Sequence, residues 1–470
     1  MKTNSIYIYA ALLALTISAC KVGKNYQRPA VDLPQQFNAV ATADTSSIAT
    51  LEYKQFFADT TLQNLIDRGI KYNYDLQIAL KRIDIAGEQV KQAKLLLLPN
   101  LNLQVSGQYN RPSDNSLNGK SASGFLGSNH IEDYNANLAL TWELDTWGKI
   151  RRQKEAVLAQ YLQTYEATKA VQTRLVSDIA QGYYNLLMLD KQLNIAKQNL
   201  RLSDTTLQLT QLLKNAGEVN LLAVQQADAQ RHTTALLIPQ LEQSITIQEN
   251  ALQILTGQLP ASVTRHTGID NSQLPTALPT GVPAGLLSRR PDVRSQEMAL
   301  KAANAQVGAA QGQMYPSLSI TAQGGLESLK SSTWFNIPAS LFGIATGSIL
   351  QPLLNHRSLK TQFETAKLQR DQAGLQFRQS VLNAVGEVSN ALVQNEKLQQ
   401  QRVIASAQVD TLHKAVKNAQ LLFKSDMANY LEVITAQTNA LQAELNLASI
   451  QRQQAGAVVE LYRSLGGGWR

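Results

Sequence analysis

Tyr134-Asn-Ala-Asn-Leu-Ala-Leu-Thr-Trp-Glu-Leu144 leads through Asp-Thr-Trp-Gly into residues 149–214, which contain no proline and a single glycine. In the first part, apolar side chains at every second position alternate mainly with Asn, Thr and Glu. This period predicts a β-strand with two unlike faces. The second part predicts a helix about 100 Å long, because each helical residue adds about 1.5 Å. A strand that leads directly into so long a helix indicates a mainly α fold with a small strand portion.

The same arrangement occurs twice in the chain, which predicts two related halves. Residues around one helix end and the following strand recur 217 positions later, and those around the turn after the long helix recur 209 positions later. Chance similarity between Leu- and Ala-rich helices is the alternative, but the matches keep the same order. The matching sets are Val90, Ala93, Pro99, Leu101 and Gly107 with Val307, Ala310, Pro316, Leu318 and Gly324, and Leu212, Leu213, Asn220, Leu222, Val224 and Ala227 with Leu421, Leu422, Asn429, Leu431, Val433 and Ala436.

Each half predicts the same order of elements: a helix, strands, a very long helix, a short break and a second helix. Proline ends the first helix of each half because it cannot continue the hydrogen-bond ladder. The helices are expected at 61–98, 149–214 and 220–255, and again at 291–314, 356–423 and 429–465. The predicted domains are a lipoprotein signal peptide at 1–19, an acylated segment at 20–58, a first repeat at 59–260, a linker at 261–290 and a second repeat at 291–470.

Four strands are expected in each chain, two before each long helix. Their polar faces carry Asn, Gln, Ser and Thr, as the water-facing side of a membrane barrel does. The fourth strand, between positions 335 and 350, is less regular because it contains Pro338 and two glycines. Four strands cannot close a barrel, and an open sheet in lipid leaves its edge groups unpaired at several kcal/mol each. We therefore expect a homotrimer with a twelve-stranded β-barrel, continued by a twelve-helix α-barrel.

The long helices carry a seven-residue apolar repeat. Such a repeat makes helices supercoil around each other, and small residues in the seam allow close approach. The repeat and the short breaks predict antiparallel coiled-coil hairpins, although an ordinary helical bundle explains the repeat equally well. In the first half the series are Leu186, Leu193, Leu200 and Leu207, and, three positions later, Leu189, Ala196, Ser203 and Thr210.

Cys20 is the single cysteine of the 470 residues, and it follows a short apolar stretch that ends in Ile17-Ser-Ala19. This layout is typical of a bacterial secretion signal with small residues at its cleavage point. The four residues 17–20 resemble a lipoprotein box, in which the thiol receives a diacylglycerol and the new amine an acyl chain. Several chains on one residue give a lasting membrane anchor. A chance cysteine at the end of an ordinary signal is the alternative.

The composition limits the remaining function classes. With no second cysteine, no disulfide holds the mature fold. The formal charge of +8 is scattered, which is typical of a solubilising balance and not of a nucleic-acid footprint. The five histidines follow no metal-ligand spacing and there is no glycine-rich phosphate loop, so we expect no metal site, no other cofactor and no enzyme. A periplasmic adapter with a lipid anchor is the runner-up, but it would carry one hairpin.

Several segments across the whole chain resemble the TolC-like outer-membrane efflux lipoprotein family, the OprM, CusC and NodT group. The resemblance implies a trimeric outer-membrane channel of a tripartite pump, a passive exit duct for small toxic compounds. It also implies two partners, a periplasmic adapter and an inner-membrane RND-type transporter, and leaves the cargo open. The segments are 20–29, Trp142-Glu-Leu-Asp-Thr-Trp-Gly-Lys149, Ser288-Arg-Arg-Pro-Asp-Val293, 302–318 and 461–469.

In that family the hairpin turns form a closed periplasmic aperture with a ring of carboxylates from the second repeat. The matching stretch is Asn429-Tyr-Leu-Glu-Val-Ile-Thr435, which gives Glu432 one position of the ring and replaces the other acid by Thr435. The resemblance assigns a hydrophobic constriction to Tyr430 and Leu431. Glu432 as one solvated carboxylate among many is the alternative.

Two tryptophans, Trp142 and Trp147, flank the passage from strand to helix. An aromatic girdle at the membrane interface and simple packing of the junction are equally good interpretations.

Overall fold

The computed structural model describes residues 22–34, 37, 47–271, 279–425 and 427–469. The predicted signal peptide and Cys20 lie outside them. Within this part of the chain, seven α-helices of 13 to 68 residues and four strands form the main elements. In chain order they are α1 (Thr60–Tyr72), α2 (Tyr74–Leu95), β1 (Asn100–Asn110), β2 (Ile131–Leu144), α3 (Lys149–Ala216), α4 (Leu221–Leu255), α5 (Pro291–Gly312), β3 (Ser317–Ser328), β4 (Leu341–Leu350), α6 (Ser358–Lys424) and α7 (Tyr430–Ser464).

The two halves therefore repeat helix, two strands, long helix and shorter helix, as the sequence predicts. Among the described residues, none of the helices combines the length and the apolar character that crossing a lipid bilayer requires. The described chain forms two compact units, and each unit takes segments from both halves. Residues 22–29, 85–162 and 298–375 form the first, and residues 30–84, 163–297 and 376–469 form the second, with the gaps given above.

The first unit contains one antiparallel sheet with the strand order β1-β2-β3-β4, so β1 and β4 are its edges. The predicted alternation survives in the register: Leu103 lies opposite Leu138, and Gln104 lies opposite Asn137. Residues directly opposite each other share a face of the sheet. One face is therefore apolar and exposed, with Leu103 at 72% exposure, and the other is polar.

The second unit is held by buried side chains of the long helices and by an aromatic cluster. Phe56 stacks on Tyr462 with ring centroids 4.0 Å apart, and both rings are almost fully buried. The seven-residue seam of α3 is buried throughout its small-residue series, from Leu189 to Thr210. Close packing of small residues at every second turn is what a supercoiled helix pair requires.

The predicted helix at 61–98 is wrong in one respect, because it is two helices that meet at Asn73. Asn73 has extended backbone angles, and its side-chain nitrogen donates to the carbonyl oxygen of Leu255 over 3.0 Å. Its side-chain oxygen accepts the N–H of Leu76 over 2.9 Å. The side chain therefore starts α2 while it ties the break to α4, since Ser, Thr, Asn and Asp side chains readily replace backbone partners at helix ends.

One smaller prediction also needs correction. The fourth strand begins at Leu341 and not near 335, because a turn occupies the preceding residues and Ser340 N–H donates to the carbonyl oxygen of Asn336. The connection between β1 and β2 contains a short α-helix, Leu117–Ser121, that continues into a π-helical turn, Ala122–Leu126. Ser116 caps that helix by accepting the N–H of Gly119.

Candidate functional site

The two hairpins stop their long helices with the same hydrogen bond. After α3, Gly217 adopts a left-handed φ of +85°, and the N–H of Glu218 donates to the carbonyl oxygen of Leu213 over 3.0 Å. After α6, the N–H of Met427 donates to the carbonyl oxygen of Leu422 over 2.9 Å. This bond across five residues is the mark of a Schellman helix end. The two bonds are 209 positions apart, so the sequence repeat extends to the chemistry of the turns.

An asparagine begins the second helix of each hairpin. Asn220 accepts one N–H, from Ala223 over 3.1 Å, whereas Asn429 accepts two, from Leu431 over 2.9 Å and from Glu432 over 3.1 Å. An asparagine at this position satisfies N–H groups that have no partner inside the helix. The first turn of α7, which carries three of the four predicted aperture residues, is therefore the better capped of the two.

The structure brings the predicted aperture residues to one helix end but gives them different surroundings. Tyr430 is partly buried, and its hydroxyl donates to the side-chain oxygen of Gln226 on α4 over 2.6 Å. Leu431, Glu432 and Thr435 are exposed. The Leu431 side chain is 53% exposed, so nothing in the described chain covers most of its apolar surface. Glu432 is the acidic residue in the first turn of α7, at the positive end of the helix dipole.

An open cavity of about 780 Å³ separates the two turns. Tyr430 and Glu432 line it, whereas Leu431 and Thr435 do not. Its walls also carry Lys424 and Glu218, so charges of both signs face the same space. The full set of lining residues is Leu213, Glu218, Val219, Asn220, Phe423, Lys424, Met427, Ala428, Asn429, Tyr430 and Glu432.

A ladder of polar contacts joins α3 to α7 above these turns. The side-chain nitrogen of Gln437 donates to the hydroxyl of Thr206 over 2.9 Å in a buried setting. Asn199 donates to the carboxylate of Glu444 over 3.0 Å, and Gln192 donates to the carbonyl oxygen of Leu445 over 3.2 Å. Polar pairs in the seam between two helices fix their register, because a slip leaves the buried groups unsatisfied.

The sequence interpretation missed this ladder, although a signal is present. The three α3 residues, Gln192, Asn199 and Thr206, are spaced by seven and lie beside the apolar series. Gln437 and Glu444 on α7 have the same spacing. A polar heptad next to an apolar one predicts a seam with a fixed partner.

A buried arginine joins the start of α5 to the end of α7. Arg290 is 3% exposed, and its guanidinium binds both carboxylate oxygens of Asp292, the carboxylate of Glu387 over 2.8 Å and the carbonyl oxygen of Ser464 over 3.1 Å. Burial disfavours the Asp292 carboxylate, but the guanidinium outweighs it and holds the pKa of that carboxyl below its usual value. Arg463 also donates to Glu387, over 2.9 Å. The motif at 288–293 therefore begins α5 and holds the end of α7 beside it.

A half-buried carboxylate lies at the start of α1. Asp59 accepts N–H groups from the first turn of α1, the hydroxyl of Tyr183 over 2.8 Å and the hydroxyl of Thr267. Burial opposes its ionisation, but these hydrogen bonds prevail, so the pKa of the carboxyl lies below its ordinary value of 3.8. Burial in turn raises the pKa of Tyr183 to about 12. This cluster holds α1 against α3.

The two junction tryptophans each donate their indole N–H to a backbone carbonyl oxygen. Trp142 donates to Leu97 over 3.0 Å, and Trp147 donates to Pro316 over 2.7 Å. The Trp147 ring also lies 5.2 Å from the ring of Tyr315. A buried indole N–H needs such a partner. These contacts tie the end of β2 to the residues before β1 and β3.

Two remaining predictions concern chemistry. Within the described part of the chain, no cluster of three or more His, Cys, Asp or Glu side chains could hold a metal ion. Cys20, the predicted acylation site, lies outside the described residues.

Comparison with known proteins gives consistent matches over nearly the whole chain. A family model described as "Outer membrane efflux protein" matches residues 65–258 and 282–467. Cation efflux system protein CusC of Escherichia coli O6:H1 is 30% identical over 97% of this chain and 98% of its own. Probable outer membrane lipoprotein SilC of Salmonella typhimurium is 27% identical over 100% of this chain and 98% of its own. The solved structure of the outer-membrane channel OprN superposes with a TM-score of 0.87 at 28% identity and covers 96% of this chain and 100% of the OprN chain.

Proposed function

This chain belongs to the outer membrane efflux protein family, and we propose that three copies of it form the passive exit duct of a tripartite efflux pump. It is an outer-membrane channel component of an efflux system, as the sequence resemblance implied. Two hairpins with strands before each also argue against the alternative of a periplasmic adapter, which would have one hairpin.

The observation that carries the trimer is the pair of open sheet edges. Within the described chain, β1 and β4 each pair on one side only. In a bilayer, every unpaired N–H and C=O along those edges would cost several kcal/mol, and closure into a barrel removes the cost. Four strands are half of the smallest outer-membrane barrels, and three copies together supply twelve. We infer that β1 of one copy pairs with β4 of the next.

A second surface that lacks a partner is an exposed apolar stripe on α6. Leu368, Leu375 and Leu382 on α6 are spaced by seven and well exposed. A seven-residue apolar stripe is a coiled-coil seam that lacks its partner helix. A neighbouring copy would cover this stripe and extend the wall of the duct as a twelve-helix α-barrel.

The partners and the cargo follow from the role in an efflux system. We propose a periplasmic adapter and an inner-membrane RND-type transporter as partners, with no catalytic step in the duct itself. CusC is named for cation efflux. In this chain the strand faces assigned to the lumen carry mainly Asn, Gln, Ser and Thr, with the carboxylates of Asp133, Glu143 and Glu327 among them. Because most of these side chains are uncharged and small, the wall discriminates little between drugs, dyes and metals, and selection falls to the transporter.

The anchor and the gate complete the proposal. Cys20 would carry a diacylglycerol on its sulfur and an acyl chain on its amine, and the name of SilC as a lipoprotein supports this. Three copies of Glu432 would form a carboxylate ring at the periplasmic end, with Leu431 and Tyr430 as the constriction and Thr435 behind them. Like charges around an axis attract cations and repel each other, which keeps the aperture ready to open.

One pair of measurements tests this function. Native mass spectrometry of the purified protein should give the mass of a trimer. On a detergent gel the mobility should change only after heating, because membrane barrels resist unfolding by detergent. A stable monomer would refute the trimer. In planar bilayers, Glu432→Gln should raise single-channel conductance or weaken block by divalent cations, whereas Glu218→Gln in the other turn should not. Identical behaviour of both variants would refute the carboxylate ring while leaving the duct in place.

A further inference from the structure

The segment that follows Cys20 is held by one buried arginine. Arg152, in the first turn of α3 and 8% exposed, donates to the carbonyl oxygen of Val22 over 3.2 Å and to that of Gly23 over 2.9 Å. It also donates to the side-chain oxygen of Asn25 over 3.0 Å. Glu155 accepts from its remaining terminal nitrogen over 2.7 Å. A guanidinium that binds three groups of one short segment fixes both its position and its direction.

Two glycines make the space for this contact. Gly23 has a left-handed φ of +84°, and a Cβ there would lie 2.7 Å from the Cα of Gly308 on α5. A Cβ on Gly308 would lie 3.0 Å from the aliphatic stem of Arg152. The side-chain nitrogen of Asn304, one turn earlier on α5, donates to the carbonyl oxygen of Lys24 over 3.0 Å. The segment therefore lies in a fitted slot between α3 and α5, which we call the N-terminal slot.

The slot lies beside the end of a predicted membrane strand. The N–H of Val22 donates to the carbonyl oxygen of Trp147 over 3.4 Å, and Trp147 lies three residues after the end of β2 at Leu144. Cys20 precedes Val22 by two residues, so the covalent chain allows at most about 7 Å between their Cα atoms. The acyl chains proposed for Cys20 would therefore leave the protein at the level where the strands leave the bilayer.

We propose that Arg152 is a positioning residue for the lipid anchor: it fixes the acylated end at the strand-to-helix junction, so that the lipid orients the sheet for insertion. This inference rests on the acylation and outer-membrane insertion proposed above. A lipid on a loose tether holds a protein near the bilayer but leaves its height and tilt free. When the segment from Val22 onward is held in the slot, the anchor lies only two positions before it. The anchor and the strands then act as two linked attachment points, and the effective concentration of each at the bilayer is high.

The test is a double-mutant cycle on assembly in vesicles made from outer-membrane lipids. The rate at which the heat-modifiable trimer appears is measured for the wild type, Cys20→Ser, Arg152→Met and the double variant. We expect each single substitution to slow assembly about tenfold, as when two linked attachments stop acting together. The double variant should be no slower than either single variant. Arg151→Met is the matched control, because Arg151 is exposed and bonded to Asp145.

A second readout reports on the slot directly. Trypsin should cleave after Lys24 at least about tenfold faster in Arg152→Met than in the wild type, because release of the segment exposes its backbone to the protease. Asn25→Ala removes one of the three acceptors at an exposed position and leaves α3 unchanged. If Arg152→Met does not fold, the cycle is run with Asn25→Ala, for which a smaller but equally non-additive slowing is expected.

The outcomes separate the slot from the anchor. Equal slowing by Arg152→Met in the presence and absence of Cys20 would overturn the inference, because the arginine would then act only on folding. Mass spectrometry of the N-terminal peptide without acyl chains would overturn the anchor and the inference together, while the trimer test above would stand. Unchanged cleavage after Lys24 in both slot variants would also overturn the inference.

Discussion

Removing the cap of α7 should loosen the first turn that carries the proposed gate. Asn429 accepts two N–H groups, and its replacement by alanine leaves both without a side-chain partner. Loss of an asparagine cap costs about 0.5–2 kcal/mol, and two lost bonds argue for about 1.4 kcal/mol. That free energy corresponds to about a tenfold higher population of the opened turn. Hydrogen exchange of the Leu431 and Glu432 amides should therefore accelerate about tenfold.

The repeat offers a matched control for this prediction. Asn220→Ala in the first hairpin removes a single accepted N–H, that of Ala223, and should accelerate exchange there about threefold without affecting α7. Asn429→Ser restores a capping oxygen and should return the exchange rate close to that of the wild type. If the Leu431 amide exchanges equally fast in wild type and Asn429→Ala, or if serine behaves like alanine, the cap does not hold the turn and the reasoning is refuted.

Three further changes have expected outcomes. Gly325→Ala should sharply lower the yield of heat-modifiable protein, because its Cβ would lie 2.1 Å from a backbone oxygen of β2, whereas Gly324→Ala, with ordinary contact at 3.6 Å, should leave the yield unchanged. Asp59→Asn should lower the melting temperature at pH 6. The difference from wild type should shrink as pH falls below about 4, because a carboxyl with a lowered pKa stabilises the fold only while it is ionised. A difference that stays constant with pH would show that ionisation of Asp59 is irrelevant. Arg290→Met should lower the free energy of unfolding by about 2 kcal/mol in urea titrations. Removing one partner of a buried ion pair usually costs about 3–5 kcal/mol, but here the carboxylates left behind are partly exposed to water. An unchanged midpoint would show that the Arg290 cluster contributes nothing to stability.

The sequence predicted the elements whose signals are local. Alternation located the strands, and the absence of proline located α3 and α6 to within two residues at each end. The repeat predicted that both hairpins turn at equivalent positions. Each of these signals depends on side-chain period or backbone chemistry within one segment.

The missed features depend on contacts between distant segments. Asn73 breaks a helix because its side chain reaches Leu255, 182 positions later. The polar heptad on α3 is visible in the sequence, but its partners on α7 are identified only when the two helices lie side by side. Gly23 and Gly308 are unremarkable in the sequence, and only the folded chain shows that each makes room for the other side of the N-terminal slot. A single sequence contains no record of such pairings.

The two open edges of the sheet also have a kinetic consequence. A lone copy would carry every unsatisfied amide of β1 and β4 into hydrocarbon, so a solitary polypeptide faces a barrier that grows with strand length. Insertion of the strands must then wait until copies meet outside the hydrocarbon. The rate of channel appearance should consequently rise more steeply than in proportion to the amount of exported polypeptide, with an apparent reaction order above one.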